Sequence, residues 1–556
     1  MNARILSLIS LLAVTLGATA QNTLWVRSAD RTKAATSISF DGADSVVFRN
    51  TMFRIYENGS SRNRTYGNFL GYTAAADSSV AFYVGTPERA IWKPTTSDNN
   101  YNNDYTNPNS QWSYKNSRES EHFIVFWDKR FGDDPNSTSV PSNLRVNVDD
   151  MLQKAEQFFS TNVDLLGMCD VGEGRSRLDD YKMIIHLLYD DGWTAVGSGY
   201  DDMIGALWVT PSTSHPVGHT IAHETGHCFQ YMVATDWRKN GISNYTQRGW
   251  RYGFGANGSG GNAFWEQCAQ WQGFRDYPAE TFGYHLDVWK SNYHRHLCHE
   301  WMRYASYWWQ YHLVEKHGDR AFGRLWRESR YPEDPIETYV RLFCDGNWDT
   351  FWDDYFEYAT KLQNFQFEEI HQYLTSNYSA RNYKTSLYKV DDYYQVAYRS
   401  CPETSGVNFI QLTGFKAGDE ISVDFAGMNP GDALAAGDPG KSWNGDPADG
   451  ANANNFTKVT TYNTVGKAAD RGWHYAFVAI VNDGTVTAGR TVVSDVATSP
   501  EGSLTFTVPE KCIRLSLCVV GTPKTYTRHA WDETDSNDLQ WPYRVKFTGC
   551  HPSSLN

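Results

Sequence analysis

The segment Ile221–Phe229 restricts the fold of this chain more than any other, because it contains the sequence HETGH at residues 223–227. Histidines four residues apart lie one turn apart on the same face of an α-helix, so both imidazoles can reach one metal ion. The glutamate after the first histidine then lies where it can act on a metal-bound water. By composition, this pattern arises by chance in only about two such chains in a hundred. We therefore predict that His223 and His227 bind Zn2+ from a helix over residues 216–235.

The flanking sequence fits a helix at this position. Ser214-His215-Pro216 offers a helix cap followed by proline at a first-turn position. The apolar run Ile204–Thr210 predicts a strand just before it. His215 and His219 are expected to lie beside the ligands or at the surface, because three histidines on one straight helix do not all point at one ion.

A catalytic zinc site needs a third protein ligand and leaves the fourth position to water. The pattern HExxHxxGxxH does not supply it, because Gln230 and Val233 occupy the positions of its glycine and third histidine. A second helix, predicted over residues 262–275, carries Glu266 among apolar residues, where a partly buried carboxylate needs a partner. We predict Glu266 as the third ligand. The alternatives are Glu280, Asp276 and His219.

Residues 299–309 (HEWMRYASYWW) supply candidates for a hydrogen-bond donor to the transition state, within a helix predicted over residues 301–317. The oxyanion that develops in amide hydrolysis needs a donor besides the metal. We take Tyr304 and Tyr307 as the catalytic candidates, with Arg303 and His299 as alternatives. Aromatic residues at this spacing are also typical of a core.

Together these motifs resemble the gluzincin branch of the zinc metallopeptidases. The resemblance covers residues 180–320 and implies a zincin-like core, with His223, His227 and Glu266 as zinc ligands and Glu224 as general base. Thermolysin-like gluzincins carry an aspartate four residues after the ligand glutamate, and Gln270 stands there in this chain. An amide still accepts a hydrogen bond from an imidazole N–H, but it makes the ligand less basic. The whole chain also resembles an uncharacterised family of secreted bacterial HExxH proteins.

Zincins usually offer their substrate an edge strand just before the active helix. On this resemblance, an extended peptide would add to the strand Ile204–Thr210 by main-chain hydrogen bonds. An ordinary buried strand is the alternative.

A chain of 556 residues is too long for one hydrophobic core. Arg4, the apolar run Ile5–Gly17 and the small residues around Ala20 are typical of a signal peptide, so we expect a secreted protein cleaved near Ala20. We predict an α+β fold with a zincin-like core between two β-rich regions. The predicted parts are a signal peptide (1–20), a β-rich N-terminal region and linker (21–115), a metallohydrolase domain (116–384) and a C-terminal β-sandwich (385–556).

Charge and cysteine content exclude several other classes. The net charge of −14 gives no electrostatic footprint for nucleic acid, and no further stretch is long and apolar enough for stable membrane insertion. Nine sparse cysteines do not form a disulfide scaffold, although one or two bridges are possible. No CxxC pair is present for a thiolate zinc ribbon.

The sequence therefore predicts a secreted zinc metallopeptidase that acts on a protein or glycoprotein substrate. The alternative is a non-catalytic glycan- or protein-binding protein on a zincin scaffold, which the 21 tryptophans and the flanking β-rich regions suggest. A glycan-directed hydrolase is a third hypothesis, but the sequence shows no defensible pair of catalytic carboxylates. The oligomeric state is not predicted.

Overall fold

A computed structural model describes seven strands between Thr23 and Gly85, and residues 89–95, 104–242, 249–255, 258–482, 484 and 487–555. The predicted signal peptide lies outside the described residues. The chain divides into two compact units, residues 1–92 with 170–183 and residues 93–169 with 184–556. The predicted boundaries near residues 115 and 384 both fall inside the second unit. The fold is mixed α+β, as predicted.

The first unit contains strands β1 to β7 in two small sheets. The four-stranded sheet has the order β2-β1-β7-β6, and β1 pairs in parallel with β7. The other sheet has the order β3-β4-β5 and is antiparallel. The strands are β1 Thr23–Ser28, β2 Thr36–Ser39, β3 Ser45–Phe48, β4 Met52–Glu57, β5 Ser60–Thr65, β6 Asn68–Ala74 and β7 Val80–Gly85.

The second unit begins with a five-stranded sheet of order β11-β12-β10-β9-β8. Its strands are β8 Ser117–Glu119, β9 Phe123–Trp127, β10 Met183–Leu187, β11 Ala195–Tyr200 and β12 Ile204–Val209. Because β12 pairs with β10 on one side and with β11 on the other, the prediction that Ile204–Thr210 is an edge strand is wrong. The edge position next to it belongs to β11, which runs antiparallel to β12.

Eight α-helices are found among the described residues. They are α1 Val148–Ser160, α2 His219–Lys239, α3 Ala263–Asp276, α4 Leu286–Asn292, α5 Trp309–His317, α6 Arg320–Arg327, α7 Pro335–Phe343 and α8 Trp348–Leu362. Helix α2 contains the HETGH segment, but it begins after Pro216, and its N-cap Gly218 makes no side-chain cap bond. The helix predicted over residues 301–317 is confirmed only from Trp309, because residues 300–302 form a 3-10 turn and residues 303–305 form further turns.

Helix α2 packs directly on the edge strand β11. Gly197 of β11 allows this approach, because a Cβ atom there would overlap the carbonyl of Glu224 and lie 2.8 Å from the Cβ of His227. Glu224 and His227 of HETGH are therefore held close to the backbone of β11 at Gly197.

Residues beyond 385 form the predicted β-sandwich. One sheet has the order β13-β14-β23-β16-β21 and the other β20-β19-β22-β15-β24, with a shared apolar core. The strands of the first sheet are β13 Leu387–Val390, β14 Tyr393–Val396, β16 Glu420–Gly427, β21 Glu501–Thr507 and β23 Tyr543–Thr548. The strands of the second are β15 Val407–Thr413, β19 Trp473–Val481, β20 Arg490–Val493, β22 Cys512–Gly521 and β24 His551–Pro552. A separate ribbon joins β17 Lys441–Trp443 to β18 Phe456–Lys458.

Three further observations concern the sequence predictions. All nine cysteines are unbridged, so neither of the disulfides considered possible is formed. In the polar stretch at the end of the predicted linker, residues 104–113 form turns in which Tyr105 and Trp112 are buried, whereas Thr106, Pro108 and Asn109 are exposed. Among the described residues, none of the helices combines the length and the apolarity that crossing a bilayer requires.

Candidate metal centre

Helices α2 and α3 bring the three predicted ligands together. The Oε2 atom of Glu266 lies 3.3 Å from His223 Nε2 and 3.0 Å from His227 Nε2. All three side chains are buried, with 7%, 4% and 7% of the surface of His223, His227 and Glu266 exposed. The structure thus places two imidazole nitrogens and one carboxylate oxygen around a common point.

These donor atoms fit a zinc ion. Tetrahedral bonds of about 2.0–2.1 Å place neighbouring donor atoms about 3.3–3.4 Å apart, close to the two separations in the structure. Two histidines and a glutamate are also a donor set that catalytic zinc uses, with the fourth position left open. The residues present therefore fit a zinc ion in chemistry and in these two separations.

The hydrogen bonds of Gln270 fix the orientation of the His223 ring. Its Nε2 donates to the carbonyl of Tyr304 over 3.2 Å, which leaves its Oε1 to accept from His223 Nδ1 over 2.9 Å. The proton of a neutral His223 therefore lies on Nδ1, and the lone pair of Nε2 points toward Glu266. Gln270 thus provides the contact that an aspartate makes in the thermolysin-like pattern.

Gln230 fixes His227 in the same way, and the sequence interpretation missed this role. Its Oε1 accepts from His227 Nδ1 over 3.0 Å, while its Nε2 donates to Trp265 O over 3.1 Å and to Gln272 Oε1 over 2.9 Å. The signal available in the sequence was the spacing, because residues three apart on a helix are neighbours. The indole of Trp265 also stacks on the His227 ring at 4.9 Å.

Replacing Gln230 with leucine is expected to lower zinc affinity by about 10- to 100-fold, because the His227 ring loses the partner that sets its tautomer. Competition with a chromophoric chelator measures this change. Gln267→Leu is the matched control, because Gln267 is a buried amide on α3 that donates to the carbonyl of Leu297 and contacts neither ligand histidine. Equal affinities of the two variants would contradict a role for Gln230 in ligand orientation.

Glu224 lies beside the three predicted ligands but makes no hydrogen bond to them. It is 6% exposed, and one of its carboxylate oxygens lies within 4.8 Å of a ring nitrogen of both His223 and His227. In the part of the chain that the structure describes, its carboxylate accepts no hydrogen bond. Glu224 is therefore available to a water molecule or substrate at the open position.

The electrostatics of the centre favour a charged Glu266. Burial by itself raises the pKa of Glu266, but the neighbouring His227 and His223 outweigh it and hold the pKa well below its ordinary value. Burial lowers the pKa of His227, and the charge and hydrogen bond of Glu266 more than reverse this effect, so the net shift is upward. A divalent cation requires an ionised carboxylate and neutral imidazoles, so at this centre a metal ion and a proton would compete for His227.

Of the two tyrosines predicted to be catalytic, only Tyr304 lies near the centre. Its ring centroid is 6.3 Å from that of His223, and burial, then Glu266, raises its pKa to about 12. The structure does not support Tyr307, because its buried hydroxyl donates to the carbonyls of Thr281 and Tyr284 over 2.7 and 3.1 Å. The difference arises because residues 303–308 do not form a helix, so the two tyrosines do not share a face.

Of the other two candidates in this segment, Arg303 lies beside Tyr304 and His299 lies elsewhere. Arg303 is 5.5 Å from the Tyr304 ring centroid. His299 is buried in an ionic cluster with the β-sandwich, 3.5 Å from Asp538 and 3.2 Å from the guanidinium of Arg295. Its ring therefore does not face the centre.

The alternatives for the third ligand are also placed away from Glu266. Glu280 is exposed, and Asp276 accepts hydrogen bonds from Gln157 and Thr161 over 2.9 Å. His219 contacts the carbonyl of Gln270 and stacks on Phe274 and Tyr284. His215 is exposed and contacts the carbonyl of Arg145.

In two other groups of potential ligands in the described residues, a lysine or arginine already pairs with the acidic side chains. Arg295 Nη1 lies 3.2 Å from His299 Nε2 and 3.1 Å from Glu403, so a guanidinium occupies the place of a cation there. Lys316 bonds to Asp354 in the group that also contains His312. At Glu266, by contrast, the described residues contribute no lysine or arginine.

Two more residues near the centre were not predicted. Asn262 Nδ2 donates to the hydroxyl of Tyr252 over 2.9 Å and lies 3.4 Å from Glu266 Oε1. Tyr252 is 61% exposed, and its ring lies 5.7 Å from that of Trp265. Because Tyr252 lies in a glycine-rich loop, no periodicity in the sequence indicates its position.

Comparison with known proteins gives a family but no activity. Residues 85–554 match a family of unknown function, DUF6055. A search of curated proteins returns no match to the chain.

Proposed function

Since the chain belongs to the family of unknown function DUF6055, whose description assigns no activity, we propose a function from the centre itself: a zinc-dependent hydrolase that cleaves peptide bonds. The observation that supports this proposal is the convergence of His223 Nε2, His227 Nε2 and Glu266 Oε2, with the unbonded carboxylate of Glu224 alongside. His223, His227 and Glu266 would hold the ion.

In this proposal a bound zinc ion supplies Lewis acidity to the scissile carbonyl and to the attacking water. Glu224 accepts the proton of that water and passes it to the leaving amine. Its carboxylate suits this task because no hydrogen bond from the described residues holds it in place. Burial keeps bulk water from competing at the site.

Tyr304 is the proposed donor to the developing oxyanion. A phenol with a pKa raised to about 12, by burial first and by Glu266 next, stays protonated at neutral pH and can donate a hydrogen bond. The backbone carbonyl of Tyr304 accepts a hydrogen bond from Gln270, the residue that also orients His223, so the position of Tyr304 is fixed relative to His223.

The edge strand β11 is the proposed binding element for the peptide. It lies against α2 at Gly197, and no described strand pairs with its outer edge. An extended substrate would add to this edge by main-chain hydrogen bonds. This assignment replaces Ile204–Thr210, which is internal in the sheet.

Removal of the metal tests the proposal. The purified chain is expected to hydrolyse members of a panel of unfolded proteins and glycoproteins, to lose this activity after dialysis against a chelator, and to regain it with one equivalent of zinc. Fragment masses identify the cleaved bonds. Zinc that binds without any hydrolysis across the panel would favour the non-catalytic binding protein instead. We also propose that residues 1–20 act as a signal peptide and direct export of the chain.

A further inference from the structure

The guanidinium of Arg303 lies between two aromatic rings at the rim of the metal centre. Its Cζ atom is 5.5 Å from the ring centroid of Tyr304 and 5.4 Å from that of Trp531. Both distances are within the range of a cation–π interaction. Tyr304 comes from the segment before α5, whereas Trp531 comes from the C-terminal β-sandwich, so two parts of the chain build this position.

Arg303 has no carboxylate partner among the described residues. Its hydrogen-bond partners in the described residues are the carbonyl of Glu300, over 3.4 Å, and the hydroxyl of Tyr304. Arg295, which is buried, and Arg275, which is half-buried, differ in this respect. Arg295 contacts Glu403, Asp535 and Asp538, and Arg275 contacts Asp319 and Glu369. A guanidinium has five N–H donors, so most of those of Arg303 are available to another molecule.

Trp531, which contacts Arg303 from the β-sandwich, is held in place by several contacts. Trp531 packs on Gly261, where a Cβ atom would overlap the indole, and its backbone N–H donates to Ser259 O over 2.9 Å. The residues around Trp531 are fixed as well, because His529 and the backbone N–H of Glu533 both bond to Glu300. Because Gly261 lies just before the helix that carries Glu266, Trp531 is tied to the metal centre itself.

We propose that Arg303 receives a carboxylate of the substrate, and that the centre therefore acts on peptides with a carboxylate close to the scissile bond. This proposal rests on the proposed function. A planar guanidinium binds a carboxylate with two parallel hydrogen bonds, and stacking on rings leaves its edge free for them. The Tyr304 ring lies 6.3 Å from the His223 ring and 5.5 Å from the Arg303 guanidinium, measured at the ring centroids. An extended peptide of roughly three residues spans the distance from the predicted ligands to this guanidinium.

The carboxylate can come from a peptide C-terminus or from an acidic side chain. Matched hexapeptides separate the two sources: one pair differs in a C-terminal carboxylate or amide, and another, amidated at the C-terminus, differs in an internal glutamate or glutamine. Binding is measured by calorimetry on the zinc-loaded Glu224→Gln variant, so that no turnover is needed. We expect the carboxylate member of at least one pair to bind about 10- to 100-fold more tightly.

Arg303→Gln is expected to abolish this preference and Arg303→Lys to keep part of it, while zinc content stays the same. Arg324→Gln on α6 is the control, because Arg324 is exposed and pairs with Glu328. A role of Arg303 in oxyanion stabilisation alone would lower turnover of all peptides and leave the binding preference intact. Equal binding of both members of each pair, a preference that persists in Arg303→Gln, or no binding of any hexapeptide would overturn the proposal. Hydrolysis by the wild-type chain reports separately on the proposed function.

Discussion

Replacing Glu224 with glutamine is expected to leave zinc bound and to lower the rate of hydrolysis by about 10³-fold, since general acid–base catalysis contributes about 10²- to 10⁴-fold. Glutamine has nearly the same shape as glutamate but accepts no proton. The proposed ligand atoms belong to His223, His227 and Glu266, so the metal should remain at one ion per chain. Steady-state hydrolysis of a panel substrate and elemental analysis of the same sample measure the two quantities.

Glu280→Gln is the matched control for this variant. Glu280 is an exposed carboxylate outside the centre, so its substitution should change neither zinc content nor rate. Retained hydrolysis in Glu224→Gln would reject Glu224 as the general base. Loss of zinc from that variant would instead indicate that Glu224 is itself a ligand.

Replacing Glu266 with glutamine is expected to weaken zinc binding by more than about 100-fold. This loss is larger than that expected when the hydrogen-bond partner of a ligand is replaced, as in Gln230→Leu. Among the described residues, the Glu266 carboxylate is the negative charge that contacts both imidazoles, and the substitution removes it. A neutral amide also compensates a dication poorly in a buried site. Zinc competition titrations measure the affinity, and hydrolysis at low zinc concentration should disappear in parallel.

Asp276→Asn controls for the loss of a carboxylate from the same helix. Asp276 bonds to Gln157 and Thr161 at the other end of α3, so its substitution should leave zinc affinity unchanged. If Asp276→Asn loses zinc and Glu266→Gln retains it, the assignment of the third ligand is wrong.

The juxtaposition of the three proposed ligands follows from local sequence. Helical periodicity alone puts His223 and His227 on one face, and the apolar neighbours of Glu266 predict a buried carboxylate on a second helix. The structure brings these residues together as expected. Their role as zinc ligands remains a prediction until metal is measured.

What the sequence did not reveal depends on contacts between distant segments. Gln230 orients His227 only because Trp265 and Gln272 hold its amide in one direction. Trp531 reaches the rim of the centre from the β-sandwich, and no periodicity in the sequence connects it with Gly261. Such roles become visible only when the tertiary packing is known.

The errors in the predicted elements have local causes. The aromatic residues between Trp301 and Trp309 are spaced as in a helix, but they are buried or half-buried in a segment of turns. His299 caps the 3-10 turn in this segment by accepting a hydrogen bond from the Trp301 N–H. As a result Tyr307 was grouped with Tyr304 although its hydroxyl bonds to backbone carbonyls. The zincin resemblance predicts an edge strand at Ile204–Thr210, and the hydrophobic run itself does not show how many partner strands it has.

Diffraction from crystals of the wild-type chain on both sides of the zinc absorption edge tests the central claim most directly. The account predicts one anomalous peak per chain, about 2.0–2.2 Å from His223 Nε2, His227 Nε2 and a carboxylate oxygen of Glu266. A zinc-supplemented crystal with no peak at that point, or with its peak instead among His299, Glu403 and Asp538, would contradict it.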